Sequence, residues 1–515
     1  MIDFGKRQRD GGWAKYLPAI SGFYTTHLGK DLADDNFIPQ ERVPKDFEFG
    51  IQGLNFLNDD ESYFHYPYAL FSAGHAERNL AKCDAREPMI HDRDREKNII
   101  VGDSGGFQIA TGVIKLDWAN VKGPEGDKLR HEILRYLEHT ADWSMTLDVP
   151  AFAALPPLNK KTGLTSFTDC LDISEHNLNY FLKHRVPGAT KFLNVISGSD
   201  NQNSKIWYDR IKPYSMPAVV EELGYSRDRT FEGWAFAGVN MKNMKTALER
   251  ILDLRADNLL EGKDWIHFLG IGRLDWACYL TSIERLLKKY DNPNINISFD
   301  AASPFVAAGG YALSYQYNYF KPDQLTYSMG RGIDSKDLKG STMRMPYQGP
   351  IMERLTAGDI CVMGPGDLNK HGKEGKTSWD TTSYALVMAH NVYNHIQAIQ
   401  EINRLADIEY TLKSVDYRDW YQLRAKKKQH NLSEFVPNSI LFFNDFVAKL
   451  LDPTNPAPYK MLDDNQAFLD FVSFGDKNPV TMFENLFDNN VVDTKHVPTI
   501  EEMASADPDA FDLDD

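Results

Sequence analysis

The chain has 515 residues, 42% apolar and 25% charged, ordinary globular proportions and enough length for a barrel-sized domain with an appended one, which excludes a wholly disordered protein. No stretch approaches the roughly 18 uncharged apolar residues of a membrane helix, and the opening MIDFGKRQRDGGWAKYL has no continuous apolar run of a signal peptide, so a soluble, cytoplasmic protein with no membrane partner is expected. The formal net charge of −16 argues against a polyanion partner, but the last fifteen residues hold seven acids and no base, and removing those seven leaves −9.

Residues 1–64 read as an N-terminal arm. From residue 65 onward, short apolar runs end in small, polar or acidic residues and lead into segments with helical periodicity. They are YALFSAGH (68–75), NIIVGDSGG (98–106), WSMTLDVP (143–150), KFLNVISGSD (191–200), GWAFAGVN (233–240), WIHFLGIG (265–272) and INISFDAASP (295–304). Helical partners include SEHNLNYFLKHR (174–185), MKTALERILDLRAD (244–257) and LDWACYLTSIERLLKKY (274–290). DICVMG (359–364) would supply an eighth strand after an insertion of about 305–358. The expected fold class is therefore α/β, a (β/α)8 TIM barrel over 65–400 with a long insertion before its last strand. An open doubly wound sheet would favour a glycine-rich phosphate turn after its first strand, and FSAGHAERN is a poor G-x-G-x-x-G. A long helix over 382–410 follows, then a mainly helical C-terminal region (401–500) that includes 439–452, and the acidic tail 501–515.

Cys83, Cys170, Cys278 and Cys361 lie far apart, with no C-x-C or C-x-x-C spacing, so reduced structural thiols are predicted rather than disulfides or a zinc site. His75 and His267 have no metal-spaced partner and are read as satisfied polar groups.

In a barrel, functional groups sit at the C-terminal strand ends, where Asp103, Asp148, Ser197, Gly238, Gly270 and Asp300 fall. Two carboxylates facing one sugar carbon can cleave a glycosidic bond, one as nucleophile and one moving the proton of the leaving group. Each acid could instead cap the helix after its strand, and three together could hold magnesium, although no neighbouring histidine or D-x-D spacing supports a metal. The double glycine of DSGGFQ (103–108) would let backbone approach a bound molecule closely.

DSGGFQ resembles the signature of tRNA-guanine transglycosylases, and LDVP, FAGVN, FLGIG, SFDAASP and the helix LVMAHNVYNHIQAIQEI resemble later segments of that family in the same order, over roughly residues 65–405. The resemblance implies base exchange through a covalent intermediate, with Asp300 as nucleophile at C1′ and Asp103 as general acid/base. It places Asp148 on the N1–H and exocyclic amine of guanine, Gly238 and Val239 as backbone contacts, Phe107 and Leu269 on the two faces of the base, and Ser104, Gln108, Ser197 and Gly270 around it. The family's zinc ligands are missing, since only Cys361 and His371 lie in the corresponding region, so no cofactor is expected. Ser197 stands where the family has glutamine, and the arginine-rich loop that follows the nucleophile in the tRNA enzymes is FVAAGGYA here.

A branch of the superfamily encoded by phages and DNA-modification clusters exchanges guanine in DNA for a 7-deazaguanine of the preQ0 type, and the lost zinc ligands and loop resemble that branch more closely. The resemblance thus implies guanine-containing DNA and a free 7-deazaguanine base as partners, with a homodimer possible. An RNA-directed enzyme, a non-catalytic transglycosylase subunit and an ordinary glycoside hydrolase are the alternatives. YRDWYQLRAKKKQH (417–430) interleaves Tyr417, Trp420 and Tyr421 with Arg418, Arg424, Lys426, Lys427 and Lys428, a pattern suited to stacking and phosphate contact. Tyr315, Tyr317 and Tyr319 offer a second platform. DNA binding is expected to weaken steeply with added salt despite the negative total, because local Lys and Arg set phosphate contact; a flat salt titration by fluorescence anisotropy would contradict this basic surface.

Overall fold

The computed structural model describes residues 2–34, 37–75, 87–311, 313–321, 325–368, 372–415 and 435–474. Eight short strands form one parallel sheet: β1 (Lys15–Pro18), β2 (Tyr68–Ser72), β3 (Ile99–Asp103), β4 (Trp143–Met145), β5 (Lys191–Ile196), β6 (Gly233–Phe236), β7 (Trp265–Phe268) and β8 (Asn296–Ala301). Their order is β1-β8-β7-β6-β5-β4-β3-β2. A parallel bridge between Ala19 and Leu70, with the Ile20 N–H donating to the Leu70 carbonyl at 2.9 Å, brings β1 round to β2. Helices such as Phe167–His184, Met244–Ala256 and Leu274–Tyr290 cover the outside, so the strands are buried on both faces and read as continuous apolar runs. This is the (β/α)8 barrel architecture.

The expected eighth strand was placed wrongly. Residues 359–364 form no strand: Thr356 and Asp359 make a capping box that opens the short helix Ala357–Ile360. The missing strand is β1, so the residues read as an arm contribute a stave of the barrel, and the long insertion follows the last strand instead of preceding it. KYLP escapes a pattern search because it is only four residues, begins with Lys15 and ends with Pro18.

A buried ion pair anchors β1. Glu284, on the helix Leu274–Tyr290 and 0% exposed, lies 3.5 Å from Lys15 Nζ and 2.5 Å from Lys288 Nζ, and accepts the Ile297 N–H of β8 at 2.7 Å. Burial pulls the Lys15 ammonium down from its ordinary range while the Glu284 charge pushes it back. Inside the barrel, Trp143 and Trp265, on strands that are not neighbours, meet with ring centroids 5.4 Å apart. Gly233 packs close beside them: a Cβ there would fall 2.5 Å from both Leu193 Cδ2 and the Trp265 carbonyl oxygen.

After β8, the helix Ser303–Tyr311 leads into an antiparallel hairpin of β9 (Leu313–Lys321) and β10 (Thr326–Arg331). The long helix Thr381–Val415 holds both: Asn391 donates to the Pro304 and Leu313 carbonyls at 3.1 and 2.9 Å and accepts from the Tyr315 N–H at 2.8 Å. Tyr315 is buried by this packing and is no stacking platform. Lys336, Lys339 and Arg344 of the same region pair with Glu374, Asp367 and Asp46. The basic segment 417–430, with Arg418, Trp420, Tyr421, Arg424, Lys426, Lys427 and Lys428, lies outside the described residues, as does the acidic tail 501–515.

The C-terminal helices Asn438–Leu450, Pro458–Asp464 and Gln466–Phe474 pack on the outer helices, and the Met244 N–H donates to Ser473 Oγ at 2.8 Å. Among the described residues no helix is long and apolar enough to cross a membrane. Glu284→Ala leaves Lys15 buried beside no counter-charge and is expected to cost about 3 kcal/mol or more in urea unfolding, whereas Lys288→Ala, which removes the more exposed partner, should cost far less.

Candidate active site at the C-terminal mouth of the barrel

Because all eight strands run in parallel, Asp103, Asp148 and Asp300 emerge from, or just beyond, the same ends of β3, β4 and β8. Two neighbourhoods form there.

The first holds Asp103 and Asp148. Ser72, paired in register with Asp103, donates its hydroxyl to Asp103 Oδ2 at 2.6 Å, and the Gly74 N–H donates to Ser72 Oγ at 3.0 Å. The acceptor role of Ser72 is thus filled, which leaves its own proton for the carboxylate. The glycine pair is required by two close approaches. Gly105 has φ +79°, and a Cβ on it would lie 3.0 Å from the Gly74 nitrogen; a Cβ on Gly106 would lie 2.6 Å from the Asp148 carbonyl oxygen and 3.0 Å from Asp148 Oδ1. The turn after β3 therefore presses on both neighbouring loops and draws the two acids together.

The loop carrying Asp148 is fixed from behind by the helix Phe167–His184. Ser174 Oγ accepts the Val149 N–H at 2.8 Å and Asn177 donates to the Leu147 carbonyl at 3.1 Å. Burial, reinforced by the charge of Asp103, pushes the Asp148 carboxyl up to about 7. A carboxyl raised by burial beside a second acid is a recurring feature of acid/base sites.

The second neighbourhood is Asp300. Its Oδ1 accepts the Gly270 N–H at 2.7 Å and lies 3.2 Å from His267 Nε2. His267 is 0% exposed, and its Nδ1 lies 2.8 Å from Ser298 Oγ, which also accepts the indole N–H of Trp265 at 2.7 Å. The sequence reading of His267 as a satisfied polar group holds, but what satisfies it is the nucleophile candidate itself. The side chain of His75 lies outside the description.

Phe107 is 43% exposed although large and aromatic, and its ring packs on Phe152 at 5.7 Å. Leu269 is half-buried, with its N–H on the Phe236 carbonyl at 3.1 Å. Gln108 lies across Gly74, and its buried Oε1 has no hydrogen-bond partner among the described residues, an acceptor available to a ligand.

Other expected contacts are committed inside the protein. Ser104 Oγ donates to the Thr146 carbonyl at 3.2 Å, and Ser197 is buried against Gly238. Val239 donates its N–H to the Gly198 carbonyl at 2.9 Å, and its own carbonyl accepts from Lys242 at 3.1 Å and Asn243 at 2.9 Å. Both of its backbone groups are thus used in the turn, and the expectation that they meet a base is corrected. Gly238 has φ +59° and sits so close to Gly198 that a Cβ would fall 2.4 Å from the Gly198 carbonyl oxygen, which lets the two loops touch.

No family model, characterised protein or solved structure matches the chain. The geometry of the mouth therefore carries the functional argument. Of the two residues in the region of the resembled family's zinc site, Cys361 is buried with its thiol on the Ile333 carbonyl at 3.2 Å, and His371 lies outside the described residues.

Sequence reasoning missed Ser72, Phe152, and the set of Trp265, His267 and Ser298 around Asp300. The only signal available was alternation, since Trp265 and His267, like Ser298 and Asp300, are two apart on a strand; which strands lie side by side is not written locally.

An acid whose pKa is higher in the folded than in the unfolded chain stabilises the fold fully below the unfolded value and loses that contribution as pH rises through the folded one; for Asp148 the loss runs from 3.8 to about 7. Asp148→Asn removes it. The variant's melting temperature is expected to gain on the native protein's between pH 4 and pH 7 and to hold a constant lead above that; a pH-independent difference by calorimetry would contradict the raised carboxyl.

Proposed function

We propose that the protein is a DNA-guanine transglycosylase, exchanging guanine in DNA for a 7-deazaguanine base through a covalent aspartyl-nucleotide intermediate. The observation that carries the reading is the division of the mouth into two carboxylate environments. Asp300 has a backbone amide and a histidine directed at one oxygen, which suits a nucleophile that must be aimed, while Asp103 and Asp148 sit together beside an exposed aromatic ring.

In the first half-reaction a carboxylate oxygen of Asp300 forms a bond to C1′ as the bond from C1′ to guanine N9 breaks, and the electron pair leaves on the base. Asp103 supplies the proton that lets guanine depart neutral. In the second, Asp103 takes the N9 proton of the incoming 7-deazaguanine, N9 attacks C1′ and Asp300 leaves as carboxylate. Pushed up to about 7, Asp148 is in part a carboxylate near neutral pH, and in that form it accepts from N1–H and the exocyclic amine, an acceptor pair that adenine cannot satisfy. Phe107 covers one face of the base and Leu269 the other, with the vacant acceptor of Gln108 as a further polar contact.

The choice of DNA over tRNA is supported by the segment after the nucleophile. Where tRNA enzymes carry an arginine-rich loop, this chain has the helix Ser303–Tyr311, with Phe305, Ala307 and Ala308 buried. That element offers no cation to an anticodon loop. A guanine within duplex DNA must be flipped out, or presented in a single strand, before Asp300 can reach C1′.

The test is incorporation of labelled guanine into matched DNA and tRNA by the native protein and by Asp300→Asn. Label is expected in DNA, falling by about 10⁴-fold or more in the variant. Label in tRNA alone would move the substrate to RNA, and label in neither would overturn the reading.

A further inference from the structure

Gly270 and His267 both address Oδ1 of Asp300, whereas Oδ2 makes no hydrogen bond among the described residues. A carboxylate held by one oxygen is held in orientation, since two donors at one end fix where the other end points. The carboxylate side chain is 13% exposed.

Which nitrogen of His267 carries the proton follows from its neighbours. An indole N–H can only donate, so Trp265 fills an acceptor position on Ser298 Oγ. The serine hydroxyl's own proton then has His267 Nδ1, 2.8 Å away, as its partner. Nδ1 becomes the acceptor, and the ring proton resides on Nε2, facing Asp300 Oδ1. The opposite tautomer would set an Nε2 lone pair against a carboxylate oxygen at 3.2 Å around a fully buried ring, an unfavourable contact between two acceptors. The relay crosses between adjacent strands, because Ser298 is paired in register with His267. Its Trp265 end packs against Trp143 inside the barrel, with ring centroids 5.4 Å apart.

We propose that His267 is a positioning residue for the nucleophile: with its tautomer set by Ser298 and Trp265, it ties down Oδ1 of Asp300 together with Gly270 and leaves Oδ2 as the oxygen that attacks C1′. The inference rests on the transglycosylase reading and deepens it. In the first half-reaction Oδ2 gains the bond to C1′ while Oδ1 becomes the carbonyl oxygen of the ester. In the second, charge returns to the carboxylate as C1′ departs, and the two donors at Oδ1 stabilise the leaving group.

The experiment compares native protein, His267→Leu, His267→Gln and Ser298→Ala. It measures single-turnover formation of the covalent protein–DNA adduct on a guanine-containing oligonucleotide, and equilibrium binding of free guanine. His267→Leu is expected to slow adduct formation by about 10²-fold with guanine binding unchanged, because only the nucleophile is misplaced. His267→Gln, which keeps an N–H donor, should recover about tenfold of that loss, and Ser298→Ala, which frees the tautomer, should lose about tenfold. A merely structural role would lower binding and rate together and would not distinguish Gln from Leu. Long-range proton–nitrogen correlation on histidine-labelled native protein reads the tautomer without activity: an Nε2–H ring is expected, and an Nδ1–H ring would overturn the proposal. If His267→Leu does not fold, Gln, Ser298→Ala and the tautomer decide. Native-rate adduct formation in His267→Leu would remove the role of His267 and leave the transglycosylase intact, whereas a native protein that exchanges guanine in neither DNA nor tRNA would strike the reading and this role with it.

Discussion

Closure of the barrel by β1 is the constraint on which the rest of the structure depends. A parallel sheet with two free edges would expose unpaired backbone groups and leave β8 without a second neighbour. Lys15–Pro18 fills that gap, pairing with β8 along its length, while the residues just beyond it bridge to β2. It does so with a lysine at its first position, tolerable because Glu284 reaches the same end of the barrel and also accepts the first buried N–H of β8. Once the ring is closed, eight loops leave from one rim, and three acids distant in the chain share a mouth.

The chemistry of that mouth comes from unequal treatment of like groups. Asp300 is met at one oxygen by the Gly270 N–H and by His267. Asp148 is partly buried next to another carboxylate, which favours its neutral form. The glycines at 105 and 106 sustain the second effect, because side chains there would meet Gly74 and Asp148 and push the loops apart. The residues around Asp300 are instead on strands, the stiffest elements of the fold, which suits a group that must be aimed. Asp103 and Asp300 thus sit at the ends of β3 and β8, and Asp148 on the loop beyond β4, an arrangement consistent with base exchange.

The site is less polar toward a ligand than its residue types suggest. Ser104 and both backbone groups of Val239 are used in joining one loop to the next, and Ser197 is buried against Gly238. A buried hydroxyl or amide is satisfied by the nearest partner, and in a tightly looped rim that partner is usually the neighbouring loop. The groups left for a base are fewer: Asp148, the acceptor of Gln108, and the apolar faces of Phe107 and Leu269.

By itself the sequence determined the alternation of strand and helix, the acids at strand ends and the double glycine, because these depend on local properties: burial on both faces makes a continuous apolar run, and a close approach demands a missing side chain. It misled at 359–364, where a short apolar run beside an acid reads the same whether it enters a strand or a capped helical turn, and it concealed β1, four residues between polar and glycine-rich flanks. Only the tertiary structure decided that Ser298 stands beside His267, that His267 meets Asp300, and that Asp103 lies close enough to Asp148 to oppose its charge. Register, ring closure and desolvation are properties of segments far apart in the chain, and each is set by which strand becomes whose neighbour, a choice made by the packing of the whole barrel.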